Sequence, residues 1–427
     1  MNSHVTRREM LQAGTAAGLA LGVRMAAAGP APSTPLRVGV IGVGSRGTYL
    51  LSVALSLGVE VPALCDINEA HLNRAATMVA KARGRQPEGY GRGPTDYRRM
   101  LQRDDLDAVI VATPMQVHAV MAIDSLRAGK HVLSEVAAAM TVDECWGLVR
   151  AAEETGRIYM LSENCCYWEP VMMILNMVRK GVFGELTYAE CGYVHDCRTL
   201  MFQGDQLTWR GEMKRDYLGN LYPTHAIGPV AQWLGINHGD RFVSLVAGTT
   251  GQKNLLDFVR RKFPKDHPAQ QIKFRATDSV TSLIRTAKGV LIDLRYDISS
   301  PRPVVSTTYY SLQGTRASYE SRGGTLWIEG RSPGHTWEPA AKYAQEFEHP
   351  LWTQGRSKAA GAGHGGGDYF VVNEFFETIR SGRPSPIDAC DAAAWSAIIE
   401  LSGRSLAAGG APQDFPDFTR GKWETRT

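Results

Sequence analysis

The chain has little of what marks a metal-binding, disulfide-stabilised or nucleic-acid-binding protein. Its seven cysteines form no C-x-x-C pair, so neither a zinc site nor a disulfide framework is indicated. The 47 basic and 43 acidic residues leave a net charge of +4 without a long run of one sign, so no nucleic-acid surface is indicated. We therefore expect no metal, no nucleic-acid partner, and cysteines that are mostly buried packing residues.

Long apolar runs are also missing. Residues 13–23 are apolar, but they are too few and too rich in glycine and alanine to span a membrane well. Arg7 and Arg8 precede them and alanines follow at 26–28, a pattern that resembles a twin-arginine export signal. The alternative is a disordered basic tail. We predict a signal peptide and linker over residues 1–35, no membrane span, and a periplasmic or secreted protein.

The strand pattern at 37–41 ends in Gly42, Gly44 and Gly47, which are spaced as G-x-G-x-x-G. Such glycines permit a tight turn, let the backbone approach a pyrophosphate, and let the next helix pack on the strand. Asp66 follows the next strand pattern, near the spacing at which a carboxylate binds the adenosine ribose and would repel a 2′-phosphate. These features predict NAD as cofactor. Alternatively, Asp66 could only cap the helix that begins near Asn68.

The order of the patterns predicts an α/β fold in two domains, because 427 residues exceed a usual single core. Strands and helices alternate up to residue 161, with a glycine-rich loop at 84–93, and predict a Rossmann domain with a doubly wound parallel sheet at 36–164. Closely spaced β segments then predict an α+β substrate domain with a large open, mainly antiparallel sheet at 165–427. Its last helices, before a coil at 412–427, could pack back on the first domain.

Several motifs in the second half carry a family resemblance. They are Cys191-Gly192-Tyr193-Val194-His195-Asp196, Gly219-Asn220-Leu221-Tyr222-Pro223-Thr224-His225 and Gly228-Pro229-Val230-Ala231, with Asn164 in Glu163-Asn164-Cys165-Cys166-Tyr167, and Asp417-Phe418 and Trp423 near the end. Together they resemble the NAD-dependent glycosidases of glycoside hydrolase family 109, best known for removing α-linked N-acetylgalactosamine. This family belongs to the glucose–fructose oxidoreductase and inositol dehydrogenase superfamily.

Two positions depart from the ordinary dehydrogenases of that superfamily, which use a lysine and a D-x-x-x-H histidine to relay the hydroxyl proton. Val136 stands where they have the lysine, and Leu221 stands where they have the aspartate. Val304 also follows Pro301-Arg302-Pro303 where the resemblance implies a sugar-contacting tyrosine; Tyr309 or Tyr310 could compensate.

The resemblance implies a role for each matching residue. His225 is the leading acid/base, since histidine exchanges a proton near neutral pH; its alternative is a structural histidine. Tyr193 and Tyr222 are implied to act with it and to contact sugar, and Arg210 is implied to bind sugar, with Pro223 and Thr224 beside them; their alternatives are core aromatics and a surface ion pair. His118 could otherwise cap its helix. The implied cofactor contacts are Gly42, Gly44, Ser45, Arg46, Gly47, Asp66, Met115, Gln116, Val117, His118, Glu135, Val136 and Asn164.

The resemblance also implies a reaction without net oxidation. NAD would oxidise C3 of the sugar, the new ketone would acidify the C2 proton, the C1 substituent would leave by elimination, and water addition and re-reduction would follow. Such an enzyme suits export, because it needs no pool of reducing agents.

Two other functions stay open at this point. One is an exported NAD(P)-dependent sugar oxidoreductase, and the other is a non-catalytic sugar or nucleotide sensor on the same fold. We expect a glycan or glycoside as substrate and a homodimer formed through the C-terminal sheet.

Overall fold

The computed structural model describes residues 35–303 and 307–426. The predicted export signal and Val304 lie outside the described residues. Among the described residues, every helix is too short or too polar to cross a bilayer.

The first part of the described chain forms a six-stranded sheet in the order β3-β2-β1-β4-β5-β6, in which every pair of neighbouring strands is parallel. Its elements are β1 (Arg37–Ile41), α1 (Ser45–Ser56), β2 (Glu60–Cys65), α2 (Glu69–Arg83), β3 (Glu88–Tyr90), α3 (Tyr97–Leu101), β4 (Ala108–Val111), α4 (His118–Arg127), β5 (His131–Ser134), α5 (Val142–Thr155) and β6 (Tyr159–Leu161).

Local sequence explains these elements. All four residues of β4 are buried, as expected for a strand covered by helices on both faces. Helix α2 begins at Asn68, whose side chain accepts a hydrogen bond from the backbone N–H of His71. Helix α5 begins with a capping box between Thr141 and Glu144. The predicted doubly wound parallel sheet is therefore confirmed.

The second part forms a nine-stranded sheet in the order β16-β15-β14-β13-β7-β12-β11-β10-β17. Its strands are β7 (Leu186–Val194), β10 (Phe242–Thr249), β11 (Ser279–Thr286), β12 (Leu291–Asp297), β13 (Thr308–Gly314), β14 (Ala317–Glu320), β15 (Thr325–Ile328), β16 (Glu338–Pro339) and β17 (Gln413–Asp414), and a separate hairpin joins β8 (Phe202–Gln203) to β9 (Gln206–Leu207). The helices are α6 (Glu169–Arg179), α7 (Trp209–Asp216), α8 (Thr224–Leu234), α9 (Asn254–Lys262), α10 (Ala344–Phe347), α11 (Pro350–Ala359), α12 (Gly367–Ser381) and α13 (Ala389–Ala407).

This sheet is mainly antiparallel, as predicted, except that β7 and β12 pair in parallel, with Tyr193 opposite Tyr296. Two short strands contradict the sequence predictions: β3 lies inside the predicted glycine-rich loop, and β17 lies inside the predicted C-terminal coil. Both are edge strands, and their pairing with β2 and β10 decides their conformation.

The last long helix packs on the first sheet's helices. Glu400 of α13 accepts a hydrogen bond from the backbone N–H of Val142 at 2.6 Å, and Ser396 accepts one from the N–H of Ala138 at 3.1 Å. Trp395, which directly precedes Ser396, is 1% exposed. The two parts of the described chain thus share one continuous core. Dimerisation through the nine-stranded sheet stays a prediction.

Candidate active site

The turn between β1 and α1 is built as the glycine spacing predicts. Gly42 has φ +85° and donates its N–H to the carbonyl of Cys65 at 2.7 Å. A Cβ at Gly47 would lie 1.9 Å from the carbonyl oxygen of Gly42, so the helix can approach the turn this closely only without a side chain there. A Cβ at Gly44 would meet only His71, at 3.8 Å. Gly44 therefore presents an open backbone surface.

Asp66 lies at the end of β2 and joins this turn. Its carboxylate accepts the N–H of Val43 and the N–H of Asn68, both at 2.8 Å. The cap of α2 is Asn68, not Asp66. The alternative reading of Asp66 as a helix cap is therefore wrong.

The residues present fit NAD. The N-terminus of α1 has no capping side chain and no acidic residue in its first turn, so its N–H groups are available for a pyrophosphate. In the described part of the chain, Oε1 of Gln116 is buried and has no hydrogen-bond partner, so a bound group could satisfy it. All thirteen residues implied as cofactor contacts lie after β1, β2, β4, β5 or β6, at the carboxyl edge of the sheet.

Several of the implied contacts have their side chains engaged within the protein, among them His118 and Arg46. Both ring nitrogens of His118 lie against backbone carbonyls, those of Ala137 at 2.8 Å and Thr113 at 2.7 Å. Burial is the main influence on His118 and lowers its pKa. His118 is the first residue of α4, but it does not cap the helix through its side chain. The guanidinium of Arg46 is bound by Glu135 and by a residue that the motifs did not indicate, Asp368.

On the second sheet, Tyr193, Tyr222 and His225 come together as predicted. Their ring centroids are 5.2 Å apart for the two tyrosines, 5.5 Å for Tyr193 and His225, and 5.1 Å for Tyr222 and His225. Tyr193 is the next-to-last residue of β7, and His225 lies in the first turn of α8. The ring of His195 lies 5.9 Å from that of Tyr193. These rings therefore form an aromatic cluster around His225, which we call the pocket.

A buried carboxylate holds that imidazole. Nδ1 of His225 lies 2.7 Å from Oε1 of Glu163, and the Glu163 side chain is fully buried. Burial opposes the charge of Glu163, but the charge and hydrogen bond of His225 and the N–H of Cys165 outweigh it and lower the pKa of this carboxyl. In the described residues, Nε2 of His225 has no hydrogen-bond partner, and the His225 side chain is 15% exposed. Glu163 thus selects the tautomer that leaves Nε2 free for chemistry.

The two tyrosines act as protonated phenols. Burial raises the pKa of Tyr193 and of Tyr222 well above the ordinary value, although nearby Arg210 lowers both in part. Both can therefore donate hydrogen bonds to a sugar at neutral pH.

Arg210 lies at the edge of the same pocket, on α7. Its guanidinium carbon is 4.2 Å from the ring of Trp209 and 5.7 Å from the ring of Tyr222. Among the described residues it forms no ion pair, so its donors remain available. The side-chain amide of Gln116 donates to the carbonyl of Trp209 at 3.3 Å. This bond joins the edge of the first sheet to the pocket.

Neither tyrosine suggested as a substitute at Val304 fills that role. Tyr310 is buried, and its hydroxyl donates to the backbone carbonyl of His225 at 2.6 Å. Tyr309 points to the opposite face of the sheet, because neighbours along a strand alternate, and its ring packs against Arg322 at 3.6 Å. The idea that either compensates for Val304 is therefore wrong.

Glu163, Cys165 and His225 place three potential metal-ligand atoms within 4.8 Å of one another. Glu163 and His225 already bond to each other, and burial raises the pKa of the Cys165 thiol far above its usual range. A protonated thiol is a poor ligand, and the cluster is better explained as the support of His225. Six of the seven cysteines are buried, as predicted.

Two residues of this site were not assigned a role from the sequence. Glu163 stands inside a quoted motif, directly before Asn164, and a signal for it was therefore present. Asp368 lies 322 residues from Arg46, and its one local sequence signal is the glycine-rich stretch before it.

Comparison with known proteins agrees with this architecture. Residues 36–163 match the family model described as "Oxidoreductase family, NAD-binding Rossmann fold", and residues 167–425 match "Glycosyl hydrolase 109, C-terminal domain". The chain is 40% identical over 409 residues to an "Alpha-N-acetylgalactosaminidase" of Tannerella forsythia, covering 91% of this chain and 87% of that protein. It is 40% identical to a "Glycosyl hydrolase family 109 protein" of Stenotrophomonas maltophilia, covering 98% and 97%.

Solved structures share the fold at low identity. A levoglucosan dehydrogenase in complex with NADH superposes with a TM-score of 0.70 at 19% identity, covering 90% of this chain and 100% of that chain. An aldose–aldose oxidoreductase from Caulobacter crescentus complexed with glycerol gives 0.64 at 16% identity, with the same coverage.

Proposed function

This chain belongs to glycosyl hydrolase family 109 and is an NAD-dependent glycoside hydrolase, and from that premise we propose that it releases terminal N-acetylgalactosamine by oxidation, elimination and hydration. The observation that carries the proposal is the pair of Glu163 and His225 inside the pocket of Tyr193 and Tyr222. One acid/base group, held in one tautomer beside phenol donors, is what elimination at C2 of a sugar requires.

In this scheme NAD would supply the oxidation of the C3 alcohol to a ketone and the reduction that restores it, while the C3 hydroxyl proton passes to water and later returns from it. The ketone makes the C2 proton acidic. His225 accepts that proton on Nε2 while the bond from C1 to the leaving oxygen breaks, and the leaving oxygen takes up a proton from water. Water then adds its oxygen at C1, and a proton returns to C2, so that the net reaction is hydrolysis.

The other residues of the pocket bind and orient the sugar. Tyr193 and Tyr222 donate hydrogen bonds, since burial keeps both phenols protonated. Arg210 has free donors for the acetamido oxygen. The N-acetylgalactosamine assignment is further supported by the printed name of the Tannerella forsythia relative.

The rival oxidoreductase reading is disfavoured by the match to glycosyl hydrolase family 109. Val136 and Leu221, which replace the lysine and the aspartate of ordinary dehydrogenases, are apolar and buried at 3% and 2% exposure. The relay that those dehydrogenases use for the hydroxyl proton is therefore absent from this chain. A non-catalytic sensor would not need the buried, charged Glu163 beside His225, and burying such a charge costs free energy of folding.

The test is hydrolysis of chromogenic α- and β-hexosaminides in heavy water by the purified protein. Elimination exchanges the C2 hydrogen with solvent, so we expect deuterium at C2 of the released sugar and no net consumption of NAD over many turnovers. A direct displacement leaves the C2 hydrogen in place, so sugar released without deuterium at C2 would overturn the mechanism. Release of a sugar other than N-acetylgalactosamine alone would overturn the assigned substrate.

A further inference from the structure

Asp368 is a buried carboxylate in the first turn of α12, and it has four hydrogen-bond donors around it. Arg46 donates through two nitrogens at 2.7 and 2.9 Å, Asn164 donates its side-chain amide at 2.8 Å, and Nδ1 of His364 lies at 2.7 Å. Burial opposes its charge, but the bonds from His364 and Arg46 hold the pKa of Asp368 far below its usual range. It is therefore ionised at every working pH.

Two of its partners, Arg46 and Asn164, come from strand ends of the cofactor edge. Arg46 lies within the glycine turn after β1, and Asn164 follows β6. Glu135, which follows β5, accepts a hydrogen bond from Nε of Arg46 at 2.8 Å. Asp368 and Arg46 thus connect the turn after β1 with the ends of β5 and β6.

The segment before Asp368, residues 361–367, lies directly on this edge. The N–H of Gly363 donates to the hydroxyl of Tyr49 on α1. A Cβ at Gly367 would lie 2.5 Å from the carbonyl oxygen of Asn164, so the backbone approaches this strand end as closely as glycine permits. The segment therefore packs directly against the carboxyl edge of the first sheet, where the implied cofactor contacts lie.

Arg46 uses three of its five guanidinium N–H donors on Glu135 and Asp368. Its part is to connect the glycine turn to the second half of the chain. This pair has two parallel hydrogen bonds and opens rarely, since the fully buried Asp368 would lose its partner out of water although the Arg46 side chain is 27% exposed.

We propose that Asp368 is a positioning residue that retains NAD: it fastens segment 361–367 and α12 across the glycine turn, and bound NAD leaves only when this connection opens. The proposal rests on the binding of NAD and does not depend on which sugar the enzyme hydrolyses.

The test measures exchange of bound NAD in the full-length protein. Protein purified with NAD is mixed with excess isotopically labelled NAD, and the bound cofactor is released by denaturation and analysed by mass over time. Asp368→Asn keeps the volume and removes the charge; we expect its NAD to exchange at least about tenfold faster than in the wild type. His364→Gln removes one bond from a half-exposed side chain and should speed exchange by roughly threefold.

The matched control is Glu374→Gln in the same helix. Glu374 is also buried and pairs with Arg383 at 2.7 Å, but neither residue contacts the cofactor edge. Its NAD should exchange as in the wild type even where its melting temperature falls like that of Asp368→Asn. Equal exchange rates in the two variants would overturn the proposal. If Asp368→Asn does not fold, His364→Gln decides, and a wild-type exchange rate there overturns it.

Discussion

Glu163 and His225 carry the chemistry at the scale of single residues. The Glu163 carboxylate lies 2.7 Å from Nδ1 of the imidazole, and the hydroxyl of Tyr310 donates a hydrogen bond to the backbone carbonyl of His225. The ring is thus held through Nδ1 and the backbone through its carbonyl, and together these bonds restrict the direction of Nε2. This arrangement resembles the way a carboxylate orients histidine in other enzymes, where it acts through the histidine and not on the substrate.

Replacing His225 with alanine should abolish turnover while NAD stays bound, because His225 is not among the residues implied to contact the cofactor. Glu163→Gln should lower kcat by about 10 to 100-fold with little change in KM, since the tautomer is no longer fixed. The lowered pKa of Glu163 means that the carboxylate stays charged below its usual range, so its support of His225 should persist as the pH falls through about 4.5.

Steady-state kinetics and the NAD content of each variant test this prediction. His238→Ala is the control, because His238 forms another histidine–carboxylate pair, with Asp391 at 3.5 Å, away from the pocket. Wild-type turnover in His225→Ala would refute the assignment of the acid/base.

At the scale of the element, the turn between β1 and α1 contains one glycine that helix packing requires and another that cofactor binding requires. A methyl group at Gly47 would meet the carbonyl oxygen of Gly42 at 1.9 Å, whereas one at Gly44 would meet only His71 at 3.8 Å. Gly44 also has φ −62°, which any residue adopts. The packing of the helix therefore requires glycine at position 47, whereas the approach of the cofactor requires it at position 44.

Gly47→Ala should lower the free energy of unfolding by about 3 kcal/mol, because the helix must move away from the turn. Gly44→Ala should keep the wild-type melting temperature in the absence of cofactor but bind NAD at least about tenfold more weakly, because the methyl group covers the surface that the pyrophosphate approaches. Denaturant unfolding and calorimetric titration with NAD measure the two effects. A Gly44→Ala variant with wild-type affinity would contradict the position given to the pyrophosphate.

At the scale of the whole molecule, the export signal remains to be tested. We propose that Arg7 and Arg8 direct the folded, NAD-loaded protein out of the cytoplasm, since twin-arginine export carries folded proteins. Replacing both with lysine should leave active protein in the cytoplasm, as cell fractionation and activity assays would show. Replacing Arg37 and Arg85 with lysine provides a control of equal charge. Undiminished export of the double variant at 7 and 8 would refute the signal.

The sequence by itself determined most of the fold and the seat of the cofactor. The glycine spacing, Asp66 and the alternation of strands and helices are local patterns, and short-range backbone preferences and burial periodicity are enough to interpret them. The motif around Tyr222 and His225 likewise lies within a few residues, and the structure places these rings together with Tyr193 as expected.

Only the tertiary structure decided the edge strands and the partners of the charged side chains. Strands β3 and β17 form because a neighbouring strand offers hydrogen bonds, which no local pattern encodes. Glu163 lies 62 residues from His225, and Asp368 lies 322 residues from Arg46. A buried carboxylate is stable only beside its partner, and which cation becomes that partner depends on how the chain brings distant segments together.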